Sequence, residues 1–535
     1  MPLKVTTCGA VCAVLLVAAC GSGASGGHPV KGGGSGGPKT GGRLTAALSA
    51  APDCLDPQQA GSSNTITVTR QLVDSLTDQD TATGKIVPWL AESWKAESGA
   101  RRYTFTLKDG VTFSDGTPLD ARTVKDNLDH LVKLGARAVQ ASTYLSGYRR
   151  SVVVDARTVR VEFDHPNAPF LYGTSTTSLG MVAETTLARS AADRCASGVV
   201  GSGPFVLDHY TPNQEVVERR RDGYAWGSAL ASKKGAAYLD QVVFQVVPEE
   251  SVRAGRLRSG QADVVSLLQP QGAQQLRQEG FALETRSPAG LVYSLNVNAS
   301  RPLTADPAVR RAIQKAVDRR QIVTTLYGSV YRPATSILAS STPGYTDLGA
   351  DLAADPAGAG RLLDGAGWKA GPDGVRFKNG ERLSLVLRWF STYAATQSAL
   401  ELVQQQLKAV GVDVVLRQTP VSQALQAFKD GDYDLILGDA PSADPDILRR
   451  YYTAKGLNAV RLPGGPLQTA LDDQAAESDT GRRAAQVATA QTLLVRDAYA
   501  IPLFEGSVVV GVGARAHGVR FDSAARLQFH DAWVS

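Results

Sequence analysis

Short alternating strands and capped amphipathic helices succeed one another along almost the whole chain, and no other feature restricts the fold as tightly. Leu44, Ala46 and Leu48 alternate, a turn-rich stretch from Ala51 to Pro57 follows, and Val68, Leu72 and Leu76 then recur at helical spacing. Tyr103, Phe105 and Leu107 alternate with polar neighbours, Asp109 and Gly110 turn the chain, and Val111 to Phe113 is expected to return as the second strand of a hairpin. Asp120 stands as the N-cap of a helix whose apolar face is Ala121, Val124, Leu128 and Leu131. Asp306 caps another helix, with Pro307 at its first position and Val309, Ala312, Ile313, Ala316 and Val317 as the buried stripe, which leaves Arg310 and Arg311 on a solvated face. Asp318 with Gln321 resembles a capping box for the helix after it. Leu400, Val403, Leu407 and Val410 form a further stripe ended by Gly411, and Val412, Val414 and Leu416 alternate behind it. Such mixing predicts α/β domains with partly parallel sheets, in which ligands gather at strand ends or between domains.

A single hydrophobic core stops growing near ~250 to 300 residues, so a chain of 535 residues is expected to hold two or three packed domains. Hydrophobic residues at 43% and charged residues at 20% suit a soluble globular protein and argue against disorder. The 56 Lys and Arg against 51 Asp and Glu leave a net charge of only +5, spread along the chain. The densest basic run, Arg219 to Arg221, is too short for a polyanion-binding stripe, so no nucleic-acid partner is expected.

The amino terminus reads as a targeting segment. Lys4 precedes a mostly apolar run, Ala10 to Ala19, which is too short to span a bilayer. The run closes with Leu16, Val17, Ala18, Ala19, Cys20 and Gly21, which resembles a lipobox; residues 1–19 are then the signal peptide and Cys20 is the lipidated first residue. Gly and Ser dominate residues 20–42, a composition that cannot bury enough surface to fold and that suits a flexible tether. No later segment has the ~18 uninterrupted apolar residues of a membrane helix, so a lipid chain is the expected anchor to the outer face of the bacterial cell membrane. Cys8 and Cys12 leave with the signal, and the two cysteines of the folded part, Cys54 and Cys195, are expected to form a disulfide in the oxidising compartment.

Signatures of catalysis are missing. The sequence has no G-x-S-x-G, no H-E-x-x-H and no C-x-x-C, and its six histidines are scattered. An enzyme is not expected, nor a cofactor or a resident metal.

Several blocks carry a family resemblance: Pro88 to Trp94, Tyr103 to Leu119, Gly201-Ser202-Gly203-Pro204-Phe205, Arg219 to Trp226, Leu257 to Val264, Asp306 to Ala312 and Gly431-Asp432-Tyr433-Asp434. In this order they resemble the extracellular solute-binding proteins of the peptide/nickel class, from about residue 43 to the carboxyl end. The resemblance implies a periplasmic-binding-protein-like fold of two lobes and a small inserted domain. Its expected bounds are 43–75, 195–290 and 500–535 for lobe I, 76–194 for the inserted domain and 291–499 for lobe II. It also implies a monomer that captures a peptide or other small solute and docks on an ABC permease. A receptor for a metal chelate or an oligosaccharide, or a non-transporting sensor, is the alternative reading.

Glycines permit steep turns and proline fixes the exit, so Gly201, Gly203 and Pro204 are expected to form the crossing between lobes. Ligand contacts are expected where aromatic and amide side chains end predicted strands: Tyr293 and Asn296 on one, Trp389 and Ser391 on another. The stretch Gly438 to Asp446 resembles the acidic segment from which this class pairs a carboxylate with a peptide's α-ammonium group, and Asp439 and Asp444 are its candidates. The family's acidic residue lies a few residues before the Asp-Pro pair, where this chain has Pro441.

Overall fold

The computed structural model describes residues 37–535, apart from 139, 391–393 and 421–422 and the side chains of 394 and 395. The expected signal peptide, Cys20 and Ser391 lie outside the described residues.

Two large mixed sheets organise the molecule. In the first, seven strands run edge to edge in the order Ala282–Arg286, Val508–Val512, Val264–Val265, Arg43–Leu48, Gln241–Val246, Glu215–Arg220 and Phe205–Thr211. Arg43–Leu48 pairs in parallel with both of its neighbours, and the outer pairs are antiparallel. Leu44, Ala46 and Leu48 are buried against Val68, Phe244 and Phe529. In the second sheet six strands run Arg332–Pro333, Ala500–Glu505, Gly290–Val297, Leu435–Pro441, Ser384–Phe390 and Asp413–Thr419.

The parallel pair at the end of the second sheet shows how local sequence fixes a crossover. Ser384–Phe390 buries every second residue, and helix Ala394–Ala409 covers it with Leu400, Val403 and Leu407, all fully buried. Gly411 takes φ 85°, the left-handed turn that glycine adopts freely, and Asp413–Thr419 returns parallel to the first strand. Stripe, stop and strand fall where the spacing predicts them.

A smaller four-stranded antiparallel sheet, in the order Ala91–Glu97, Arg102–Leu107, Thr158–Phe163 and Tyr148–Val153, is packed by helix Ala121–Leu134 and an aromatic cluster of Tyr103, Phe105, Phe163 and Phe170. Asp120 and Thr123 close a capping box at the start of that helix. The expected hairpin does not form. Both sides of Arg102–Leu107 are taken by Ala91–Glu97 and Thr158–Phe163, and Val111 and Phe113 enter the core from a loop. Arg310 is a second correction: it is buried and donates to the carbonyl oxygens of Thr304, Ala305 and Asp497, tying its helix to the chain before it and to the segment that precedes the second sheet's Ala500–Glu505 strand. Arg311 is exposed, as its face predicts.

The chain passes between the two large sheets twice. Strand Ala282–Arg286 continues into Gly290–Val297, and Ala500–Glu505 continues into Val508–Val512. The outgoing and returning strands pair in both sheets, Arg286 with Val508 in the first and Tyr293 with Phe504 in the second, so segments 287–289 and 506–507 cross side by side. The expected crossing at Gly201, Gly203 and Pro204 is therefore not one of these. That segment leads from the small domain into Phe205–Thr211 of the first sheet, and it is buried against backbone, where a Cβ at Gly201 would lie 2.0 Å from the Leu72 carbonyl oxygen. Its glycines serve close packing. Ala500–Glu505 belongs to the second sheet, so that lobe runs on past the boundary expected at 499.

Candidate functional site

The crossings border a cavity of about 310 Å³ between the lobes. Asn64, Leu267 and Gln269 line it from the first lobe, and Tyr293, Tyr331 and Asp439 from the second. A volume near 300 Å³ is at the small end of sites that enclose organic ligands, ~300 to 1,000 Å³.

An irregularity in the second sheet aims two of these side chains. Gly290–Val297 pairs with Leu435–Pro441, but the register shifts between Leu291 and Ser294, so that Val292 and Tyr293 together stand opposite Asp439. The pairing of the same strand with Ala500–Glu505 shifts between Tyr293 and Ser294. An extra residue of this kind bends a strand and redirects its side chains, a common device beside binding sites. Tyr293 stacks on Phe504 with ring centroids 4.7 Å apart, and Phe504 packs in turn on Tyr327 and Tyr331. The result is a rigid aromatic wall.

Asp439 is half-buried in that wall. Among the described residues no side chain or backbone group hydrogen-bonds its carboxylate and no cation pairs with it. Removal from water alone pushes its carboxyl up to about 6. A carboxylate held in this way stabilises a positive group that enters the cavity.

The other expected contacts sit elsewhere. Asn296 is fully buried behind the cleft, donating to the Ile436 carbonyl oxygen at 3.2 Å and accepting from the Tyr452 hydroxyl at 2.8 Å. Trp389 is 4% exposed and packs in the core under helix Ala394–Ala409. Asp444 is buried and bound to Arg483. Of the expected ligand residues that are among the described ones, the structure brings only Tyr293 and Asp439 into one cavity. It adds Asn64, Gln269, Tyr331 and Glu505, which the sequence reading missed. Glu505 ends a strand just before a glycine at the crossing, a signal open to the same strand-end argument. Asn64 follows the Ser62 N-cap and donates to the Ser49 hydroxyl at 3.1 Å, and nothing in its sequence surroundings marks it.

Among the described residues no group of three or more His, Cys, Asp or Glu side chains could hold a metal ion, and no helix is long and apolar enough to cross a membrane. Cys54 and Cys195 are joined in a disulfide.

Comparison with known proteins agrees with a cleft between lobes. Residues 85–458 match the bacterial extracellular solute-binding proteins, family 5, and the chain belongs to that family. It is 29% identical over 369 residues to the nickel-binding periplasmic protein of Escherichia coli (strain K12), covering 66% of this chain and 67% of that one. It is 26% identical over 505 residues to the Probable D,D-dipeptide-binding periplasmic protein DdpA of the same organism, covering 91% and 93%. The crystal structure of NikA from Brucella suis in complex with Fe(III)-EDTA superimposes with a TM-score of 0.81 at 25% identity, over 92% of this chain and all of that one. The fold is the two-lobed α/β architecture of periplasmic binding proteins, and the chain's role is that of a substrate-binding protein of an ABC importer.

Proposed function

We propose that the chain captures an oligopeptide or similar small solute bearing a positive group, encloses it between its lobes and presents it to a membrane permease. The observation that carries this reading is the carboxylate of Asp439: half-buried, without a cationic partner among the described residues, and facing the inter-lobe cavity beside the Tyr293 wall. A buried charge left unpaired costs several kcal/mol, an amount comparable with the whole binding energy of a micromolar ligand, so a ligand ammonium there gains strongly. Leu267, which lines the same cavity, holds a left-handed φ of 53°, an uncommon conformation for leucine of the sort found at ligand clamps. Closure follows from the paired crossings at 287–289 and 506–507, where a few residues joining two rigid sheets act as a hinge.

Calorimetric titration with tri- to pentapeptides tests the anchor. Wild type binds and Asp439→Asn loses at least tenfold in affinity; equal affinity in the two proteins refutes it. The chelate reading is favoured by the nickel-binding relative and by the chelate complex of the structural neighbour. With no metal-ligand cluster among the described residues, a chelate would be held by its organic part. Titration with Fe(III)-EDTA beside the peptides separates the two.

The anchoring proposal rests on the lipobox at Cys20. Labelled palmitate is incorporated into wild type and not into Cys20→Ala, and equal labelling of both removes the anchor.

A further inference from the structure

The small domain is inserted into the first lobe, since strand Arg43–Leu48 precedes it and Phe205–Thr211 follows it in the same sheet. The joint between the two is tight. Where the chain leaves and re-enters the lobe, the Gly203 N–H donates to the Leu72 carbonyl oxygen at 2.9 Å and the Phe205 N–H to that of Gln71 at 3.1 Å. The segment after strand Glu215–Arg220 buries Tyr224 and Trp226 in the core of the small domain, and the Trp226 indole donates to the Asp74 carboxylate at 2.8 Å. Small domain and first lobe thus form one body on one side of the crossings at 287–289 and 506–507.

That body also touches the second lobe away from the crossings. The Ala168 N–H donates at 2.9 Å to the carbonyl oxygen of Ala475, in the last turn of helix Pro466–Ala476, where carbonyls lack a partner within the helix. Ala168 is braced for this bond: the Tyr103 hydroxyl donates to the Asn167 carbonyl oxygen at 2.9 Å, and Asn167 Nδ2 donates to that of Tyr144 at 2.8 Å. The Arg483 guanidinium, on helix Thr480–Arg496, lies 5.4 Å from the ring centroid of Tyr172, within cation–π range. Gln79 donates to the Ala443 carbonyl oxygen at 3.1 Å, and a Cβ on Gly84 would lie 2.6 Å from the Pro343 Cγ. Yet the seam is not filled as a core is. Between Trp94, Leu171 and Tyr172 on one side and Pro343, Pro445 and Val487 on the other it leaves a cavity of about 520 Å³, whereas packed interiors hold few voids larger than a water molecule. A few directed contacts around an unfilled space suit surfaces that meet and part.

We infer that the small domain is a latch: carried by the first lobe, it docks on the helix pair Pro466–Ala476 and Thr480–Arg496 of the second lobe and weights the hinge toward closure, with Ala168 and Tyr172 as its positioning residues. Neither residue lines the 310 Å³ cavity, and neither do Ala475 and Arg483. The latch therefore acts on the open and closed populations without touching the solute. The inference rests on the hinge reading above and is independent of Asp439.

Small-angle X-ray scattering of the ligand-free chain decides the matter, with wild type, Ala168→Pro, Tyr172→Ala and Tyr172→Phe compared against the profile calculated from this structure. Ala168 has φ −61°, which proline shares, so Ala168→Pro deletes the N–H donor and keeps the backbone angle. Tyr172→Ala removes the ring under Arg483, and Tyr172→Phe restores it. Ala168→Pro and Tyr172→Ala should each lower the ratio of closed to open protein by about two- to tenfold, the factor one net hydrogen bond or cation–π contact carries, and so raise the radius of gyration. Tyr172→Phe should scatter as wild type does, and melting temperatures set apart any variant that expands because it unfolds. Wild type and all variants sharing one profile more expanded than this structure would overturn the latch and leave the hinge standing. All four matching this structure would overturn the latch and count against the hinge as well, since nothing then opens when the seam is cut.

Discussion

The guanidinium of Arg483 donates two parallel hydrogen bonds of 2.7 Å to the carboxylate of Asp444, and both side chains are buried. The pair ties the loop after strand Leu435–Pro441 to helix Thr480–Arg496, and Gln474 completes it by accepting from Arg483 at 3.0 Å. Burial lowers and the paired charge of Asp444 raises the affinity of Arg483 for its proton, with the paired charge prevailing. Asp444 is therefore a structural residue. Removing one partner of a buried pair leaves an uncompensated charge and costs about 3–5 kcal/mol. Urea unfolding of Asp444→Ala should show a loss of that size, with the affinity of the folded fraction for ligand unchanged. A mild loss of stability with a large loss of affinity would return Asp444 to the site.

Asp439 predicts how capture depends on pH. In the empty protein its carboxyl titrates at about 6, raised by desolvation, and only the ionised form attracts a cation. Affinity for a ligand that stays cationic should be level above pH 7 and fall by up to tenfold per unit below about 6. Titrations at pH 5 and 7.5 check this, and Asp439→Asn should flatten the profile. A wild-type affinity that does not change between those values contradicts the anchor.

How much of this the sequence discloses depends on the range of the interaction. Caps and stripes are local, so Asp120, Asp306 and the Leu400 to Gly411 run are legible and take the expected places. Strand pairing is not local. Val111 to Phe113 has the pattern of a strand but no free edge to join, and the crossings at 287–289 and 506–507 follow from which strands pair across more than two hundred residues. The candidate site fares worse for a related reason. In a sheet covered on both faces, alternation does not say which face looks into the cleft. Asn296 and Trp389 accordingly point into packed interior, while Tyr293 reaches the cavity through a register shift that no pattern announces. Asp439 is found through its resemblance to an acidic segment.

The disulfide between Cys54 and Cys195 closes a loop across a sequence separation of 141 and joins the start of the first lobe to the helix that ends the small domain. The cross-link restricts the unfolded chain, and loss of a native bridge typically costs about 2–5 kcal/mol. Its surroundings stay ordered without it, because Leu55 donates to the Cys195 carbonyl oxygen at 2.8 Å and Arg194 pairs with Asp56 at 2.8 Å, both side chains fully buried. The double variant Cys54→Ser, Cys195→Ser should fold with a lower urea midpoint and bind ligand as wild type does. A midpoint equal to that of wild type would show that the bridge adds nothing.

Glu218 sets a different pH dependence, one of stability. It lies on strand Glu215–Arg220, paired with Val242 and Leu207, and it is fully buried with no partner for either carboxylate oxygen among the described residues. Desolvation raises its carboxyl well above the ordinary 4.5. The folded chain thus keeps a proton that the unfolded chain releases above about pH 4.5, so this residue's contribution to stability declines as pH rises from there, by up to about 1.4 kcal/mol per unit, until the folded carboxyl itself ionises. Glu218→Gln fills the same space without a titrating group. Its melting temperature should match that of wild type near pH 4.5 and exceed it by a widening margin toward pH 8. Thermal unfolding curves that shift in parallel for the two proteins across that range would show that Glu218 finds a partner in solution.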